Sequence, residues 1–301
     1  MDIVDEIRAF VATAQTGSFT AAADQLGMSN RLTSKYVAEL EERLGVRLFQ
    51  RTTRRVGLTP AGEDLLARAP AFLDDLDDLL GTVAAGERGL TGVIRISAPI
   101  TFGEVYVAAM LGRFACAHPG LTVDLRLSDA YADLARDGID LAFRLGQSDM
   151  LSLKARKLGT FTSVAVASPA YIAANGSPQT PQDLTSHACI VDTNRRVARR
   201  WTFYQDTAEH VVTVDGRFRV NSASAALELA AAGLGIAYAP RFALSGRIES
   251  GALAPVLTTY QGETGPLSAV YLEGRSIPRK IRALIDFALA DIRDTGILNQ
   301  G

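Results

Sequence analysis

Four polar side chains of complementary hydrogen-bonding type stand together near the N-terminus: Asn30, Arg31, Ser34 and Lys35. Val37, Leu40 and Leu44 recur at helical spacing, which leaves those four on the opposite, outward face of one helix. A guanidinium bonds a guanine edge through two donors and a side-chain amide does the same with adenine, while Ser and Lys suit phosphate or base. Ser29, just before them, is an N-cap residue type. The four therefore sit at the N-terminal end of the helix, the end that meets base edges when such a helix enters a major groove. A second cationic group follows in Arg51, Arg54 and Arg55, inside a run from Leu48 to Leu58 that reads as two short β pieces around a basic turn. Such a wing would meet phosphates or the minor groove. From Met28 to Leu58, Arg31, Lys35, Arg43, Arg47, Arg51, Arg54 and Arg55 are opposed only by Glu39, Glu41 and Glu42. A solvated helix face is the plainer reading of any lone charge run. The helix-turn-helix spacing described below weighs against it here.

Enzymatic chemistry finds no comparable foothold. His118, His187 and His210 share no spacing, and no GxSxG elbow, HExxH pair or P-loop occurs. Gly233-Leu234-Gly235 is too short for a dinucleotide motif and follows a helical pattern instead of opening one. Cys116 and Cys189 lack metal spacing, and a thiol switch would need them to meet from different units. No catalytic residue, metal or cofactor is expected.

A second set of polar groups falls at the ends of strand-like runs in the later chain. Ser97, Pro99, Thr101 and Phe102 lie between a strand and its helix, Ser128 ends a second strand, and Arg144 lies near the end of a third. Asn221 and Ser222 open another helix. In open α/β sheets ligands bind outside the carboxyl ends of strands, often at helix N-termini, where free N–H groups favour a polar or anionic group. Arg144 is placed to bind a carboxylate through two donors, or to pair with Asp140 or another structural acid. Ser97 and Thr101 also suit simple caps. As a group the arrangement favours a cleft for a small organic effector, anionic if Arg144 is its partner.

The elements that must position these groups follow from caps and periodicity. Asp2 can cap a helix to about Thr16 with Gly17 as its stop, Ser18 one over Phe19 to Leu26 ended by Gly27, and Ser29 one over Asn30 to Leu44 ended by Gly45. Two short helices joined by a tight glycine turn form a helix-turn-helix, and Ala21, Ala22 and Ala23 allow close approach. Thr59-Pro60 starts a further helix to about Val83 or Ala84. Its seam of Leu66, Leu73, Leu76 and Leu80 suits a dimerisation helix, and packing on its own domain is the alternative. Pro70 should kink it. From Val93 strands and helices alternate, predicting a parallel sheet flanked by helices. Asp215-Gly216 predicts a hairpin between Val211–Val214 and Arg217–Val220, and the last strand and helix should return to the first lobe. The arginine-rich stretch Asn194 to Trp201 suits a solvated loop, with a surface that binds an anion or a second protein as the alternative.

With 301 residues, 48% hydrophobic and 21% charged, the chain can bury more than one core. A formal net charge of −2 excludes a wholly basic nucleic-acid coat, so any DNA-binding surface is local. Charges appear at once at Asp2, Asp5, Glu6 and Arg8, with no signal region, and no apolar run looks long enough to span a bilayer. These features point to the cytoplasm.

The segment GSFTAAADQLGMSNRLTSKYVAELEERLGVRLFQRTTRRVGLTPAGE resembles the DNA-binding domain of LysR-type transcriptional regulators. RISAPITFG, LTVDLRLSDAYADLARDGIDLAFRLGQ, LKARKLG, VAVASPAYIAANGSPQTPQDLTSHACIV and VNSASAALELAAAGLGIAYAPRF resemble the effector domain of the same family. Similarity is greatest to the subgroup containing the meningococcal-type adhesion regulators. Members commonly carry Gln or Pro then Ser at the positions of Asn30 and Arg31, and a branched aliphatic at Thr33. The first departure suggests an unusual base preference. The resemblance implies a multidomain α/β protein. A winged helix-turn-helix occupies 1–60, a linker and dimerisation helix 61–88, and a two-lobed Rossmann-like, periplasmic-binding-protein-like effector domain 89–301. Lobe I covers about 92–163 and 267–301, and lobe II about 164–266. The resemblance further implies a promoter dyad of double-stranded DNA, an effector between the lobes, dimers or tetramers, and RNA polymerase as a partner.

Overall fold

The computed structural model describes residues 2–51, 56–70, 72–73, 76, 79–80, 89–130, 134, 137–146, 153–195, 197–272 and 277–299. The first unit comprises α1 (Ile3–Thr16), α2 (Phe19–Leu26), α3 (Asn30–Leu44), β1 (Phe49–Arg51) and β2 (Val56–Leu58). Asp2, Ser18 and Ser29 accept the backbone N–H groups of Val4, Ala21 and Leu32 and so start the three helices. Gly17, Gly27 and Gly45 end them in the left-handed region, with φ of 65°, 63° and 69°. Phe10, Val37, Leu40, Leu48 and Phe49 form the core. Glu6, fully buried on α1, accepts Arg43 Nε (3.1 Å) and Nη2 (2.9 Å), locking α1 to the end of α3. Leu44 departs from the expected inward set: it is 46% exposed, one position short of the glycine stop.

The next helix, α4 (Pro60–Leu66), starts at Thr59, whose hydroxyl accepts the Gly62 N–H (3.1 Å). It does not run on unbroken. Arg68 N–H turns back to Leu65 O (3.1 Å), and helical backbone resumes at Ala69. Pro70 has no N–H to offer Leu66, which accounts for the interruption. The expected seam needs correction as well. Leu66 and Leu73 are buried with Ala69 in the core of their own winged unit, whereas Phe72, Leu79 and Leu80 are 52%, 61% and 57% exposed and Leu76 is half-buried. The start of the linker helix thus completes the reading head, and only its later part offers apolar surface. Residues 81–88, where the helix was expected to end, lie outside the described residues.

The larger unit begins with β3 (Thr91–Ala98), α5 (Ile100–Ala117), β4 (Gly120–Leu127) and β5 (Leu141–Leu145). β3 pairs in parallel with both β4 and β5, as the alternation of strands and helices predicts. Most of the helix expected near Asp133 to Asp137 lies outside the described residues. α5 contains a π-helical turn over Gly103–Val107. By length and hydropathy (18 residues, mean 1.3) α5 could cross a membrane, contrary to the reading above. Phe102, Tyr106, Met110 and Phe114 instead bury its inner face in the lobe core. Tyr106 and Arg113 tie it to Asp291.

β6 (Leu153–Ala167) serves both lobes. Its first part pairs with β14 (Thr264–Leu272), and from Ser163 it pairs with β11 (Ile236–Pro240). Lobe II adds α6 (Pro169–Asn175), β7 (Cys189–Asp192), β8 (Arg200–Gln205), β9 (Ala208–Thr213), β10 (Phe218–Val220), α7 (Ala223–Ala231), β12 (Ala254–Val256) and β13 (Gln261–Gly262). β14 returns to lobe I beside β5, followed by α8 (Arg279–Thr295), as expected. The described sheet runs β10-β7-β11-β6-β14-β5-β3-β4. The hinge lies where β6 and β14 change lobes, and there Ser163 N–H donates to Glu263 O (2.8 Å).

Two local readings fail in lobe II. No hairpin forms at Asp215-Gly216: β9 pairs with β8, and β10 runs parallel to β7. Gly216 serves close approach, since a Cβ there would lie 1.7 Å from the Cys189 carbonyl oxygen. The true hairpin turns at Asp206, which adopts φ 52°, a left-handed conformation that Asp tolerates better than most residues. Nor is the stretch ending at Trp201 a solvated loop throughout. Trp201 is fully buried and packs 5.1 Å from the Tyr238 ring.

Candidate DNA-reading face and inter-lobe site

The reading helix presents Ser29, Asn30, Arg31 and Lys35 to solvent, with Ser34 half-buried. They do not all keep free hands. Ser29 spends its hydroxyl on the cap, and Asn30 Nδ2 donates to Thr20 Oγ1 of α2 (3.1 Å). Lys35 lies 3.7 Å from Glu39, a loose surface pair. Arg31 is the exposed group best fitted to reach a base edge. Thr33, where the family favours an aliphatic, is fully buried and donates its hydroxyl to Ser29 O (3.2 Å), so its extra polarity is satisfied. Arg54, Arg55 and the Arg51 side chain lie outside the described residues.

One positioning residue escaped the sequence reading. Glu41 accepts Leu48 N–H (2.8 Å), Phe49 N–H (3.1 Å) and Arg47 Nη1 (2.8 Å), fastening the reading helix to the first wing strand. Burial raises its carboxyl pKa, but the two N–H groups and the guanidinium outweigh that, so the net shift is downward. A signal existed: Glu41 follows Val37 by four residues, on the apolar face of α3.

In the effector domain the strand-end residues gather at one corner of lobe I. Ser97 and Thr101 are buried, and Arg144 donates to Ser97 Oγ (3.1 Å) and Phe143 O (3.2 Å). Asp140 accepts the Arg95 backbone N–H (2.7 Å). Pro99 is buried, and Ser128 Oγ accepts Ala130 N–H (3.2 Å). Phe102 is corrected from ligand contact to core: it is fully buried among Tyr106, Phe143 and Phe242. From lobe II, Ser222 caps α7 by accepting Ala225 N–H (3.3 Å), and Asn221 is exposed.

What brings the lobes together was not foreseen. Asp129 accepts the Ile100 N–H at the start of α5 (3.1 Å) through one oxygen and Asn194 Nδ2 of lobe II (2.9 Å) through the other. Asn194 also donates to Asn221 O. The chain's own carboxylate therefore stands at the helix end where an anionic ligand was expected. Next to it, Arg195 pairs with Glu263, lies 3.5 Å from Ser163 Oγ, and stacks 4.5 Å from the Tyr238 ring centroid. It thereby grips both strands of the hinge. Asp192, buried at the end of β7, has its carboxyl pKa raised by desolvation, partly offset by Asn194 N–H and Arg195. Burial also pushes the Cys189 thiol up to about 12, which leaves it protonated at neutral pH. Among the described residues no cluster of His, Cys, Asp or Glu could hold a metal ion.

A head that presents a helix-turn-helix and a wing, joined to a hinged two-lobed sensor, defines a ligand-responsive DNA-binding regulator. Residues 4–63 match the bacterial regulatory helix-turn-helix protein, lysR family, and residues 87–293 match the LysR substrate binding domain. The chain belongs to the LysR family of transcriptional regulators. It is 34% identical over 283 residues to the HTH-type transcriptional regulator PtxR of Pseudomonas aeruginosa, covering 94% of this chain and 91% of that protein. To the HTH-type transcriptional regulator CrgA of Neisseria meningitidis it is 30% identical over 289 residues, covering 96% of each. The solved structure of CrgA superposes with a TM-score of 0.62 at 29% identity, over 95% of this chain and 98% of that one. The full-length Vibrio cholerae virulence activator AphB gives a TM-score of 0.61 at 26% identity, over 96% and 99%.

Proposed function

We propose that the chain regulates transcription by binding a promoter dyad as a dimer or tetramer. In this reading Arg31 makes the main base contact, and Ser29, Asn30, Ser34, Lys35 and the wing arginines Arg51, Arg54 and Arg55 position the head on the backbone. Its place of work is the cytoplasm, its further partner is RNA polymerase, and it performs no catalysis. A small organic effector binds between the lobes, near Ser97, Thr101, Ser128, Arg144, Asn221 and Ser222. The observation that carries the reading is an exposed Arg31 in the first turn of a helix whose opposite face is buried and whose register is held by Glu6–Arg43 and Glu41. On the sensor side, the Asp129–Asn194 bridge joins the lobes at the corner assigned to the effector. A ligand that favours one spacing of the lobes shifts the equilibrium between arrangements of the heads, and only by as much as its affinities for the two differ.

The test is a titration of wild type and Arg31→Ala against the promoter region beside the protein's own gene and against random duplex, at two salt concentrations. Tight, salt-sensitive binding that Arg31→Ala weakens mainly on the promoter supports the reading. Equal affinity of wild type for both duplexes would reject that promoter as the operator.

A further inference from the structure

A cavity of about 330 Å³ lies on the flank of the sensor, away from the Asp129–Asn194 bridge. Its walls come from four places: α5, the hinge stretch of β6, the segment after β11, and the chain following α8. From these four elements, respectively, Val105, Phe161, Ile248 and Ile297 line it, and all four are only half-buried. Apolar side chains left half-covered around one recess are the surface an apolar ligand body would complete, and roughly 300–1,000 Å³ is the usual size of a small-molecule pocket. The rim is polar. Arg241 lines it and is exposed, with no ion pair among the described residues. Glu249 lines it as well, so a second negative charge on a ligand would be repelled.

The cavity also touches the machinery of the cleft. Phe242, one of its walls, packs edge-on against Phe102 at 5.0 Å, and Phe102 belongs to the first turn of the helix that receives Asp129. Val105 lies within the π-helical turn of that same helix, a feature often found at functional sites. An occupant would contact both lobes and the hinge at once.

We propose that this cavity is a second ligand site, separate from the inter-lobe site. Its ligand class is a small monocarboxylic acid with an aromatic or branched aliphatic body, the carboxylate meeting Arg241. The test uses calorimetric titration of the full-length protein with phenylacetate and isovalerate, and with phenethylamine as the cationic counterpart. Saturable binding of at least one acid is expected, with phenethylamine at least tenfold weaker. Arg241→Gln, on the exposed rim, should weaken the acid at least tenfold. Asn299→Trp, which places a bulky ring at the mouth, should abolish binding, and Arg144→Gln, which removes the cation of the inter-lobe corner, should leave it unchanged. Absence of binding by both acids at concentrations up to roughly 10 mM (a Kd weaker than about 2.7 kcal/mol of affinity) overturns the proposal. So does binding that survives Arg241→Gln and Asn299→Trp but is lost in Arg144→Gln. That last result would put the acid in the inter-lobe site, leaving the regulatory reading intact while removing the second site.

Discussion

The reading head and the sensor are held together by different kinds of contact. In the head, each helix is delimited by its own neighbours: a capping side chain before it and a glycine after it. Of the contacts that fix α3, Glu41 to Leu48 and Phe49 span 7 and 8 residues, and Glu6 to Arg43 spans 37. In the sensor the decisive contacts are remote. Asn194 meets Asp129 across 65 residues, Arg195 meets Glu263 across 68, and Arg113 meets Asp291 across 178. A head built from local signals is a rigid reader. The sensor's lobes are joined by residues far apart in the chain, through a buried apolar contact at Phe102–Phe242 and a polar bridge at Asp129–Asn194.

The contrast can be broken from either side. The largest effect is expected for Glu41→Ala, which leaves two buried N–H groups of the wing without their acceptor, at a cost of about 2–4 kcal/mol. Because the single tryptophan, Trp201, lies in the sensor, its fluorescence should report an unchanged sensor transition while circular dichroism shows the head melting early. A shared loss in both signals would mean that the head and sensor unfold as one unit. Arg31→Ala should cost about 1–3 kcal/mol on specific DNA and much less on random duplex, with no change in melting. Equal losses on both would make Arg31 a phosphate contact.

In the sensor, Asp129→Ala and Asn194→Ala should each cost about 1 kcal/mol and combine to less than their sum, because both remove the same bridge. Strict additivity in a thermal-denaturation cycle would show that the bridge carries no coupling. The smallest effect concerns pH and sharpens the comparison, since one carboxylate serves each region. Glu41 is held below its ordinary pKa as described above, and Asp291 is held low chiefly by the Arg113 hydrogen bonds, against some desolvation, with Tyr106 adding to the effect. Their folded pKa values lie below the unfolded ones. The stability they contribute is therefore present in full above the ordinary carboxylate range, and it is lost as pH falls through that range towards the folded values. Acid titration of the wild type should destabilise both regions below about pH 4, and Asp291→Asn should flatten the profile of the sensor alone.

How much could be read in advance follows the same division. The three caps, the glycine stops and the wing strands were legible because each depends on residues within a few positions of one another. The sensor's strands were largely legible too, as was the return of β14 and α8 to lobe I, from alternation and chain order. The failures share one cause. Asp215-Gly216 carries the local signature of a hairpin, but Gly216 answers to the Cys189 carbonyl brought beside it by the sheet. Leu66 and Leu73 carry the spacing of a dimer seam, but the winged core claims them first. Arg195 reads as part of a solvated basic run, but the hinge supplies it with Glu263 and the Tyr238 ring.

By itself the sequence determined the family, most of the element types and the outward polar face of α3, because caps, periodicity and charge act over one or two turns of chain. Only the tertiary structure decided which lobe-facing groups meet. Asp129 and Asn194 have no common local signal, and they become partners only when the two halves of the sheet are joined through β6 and β14.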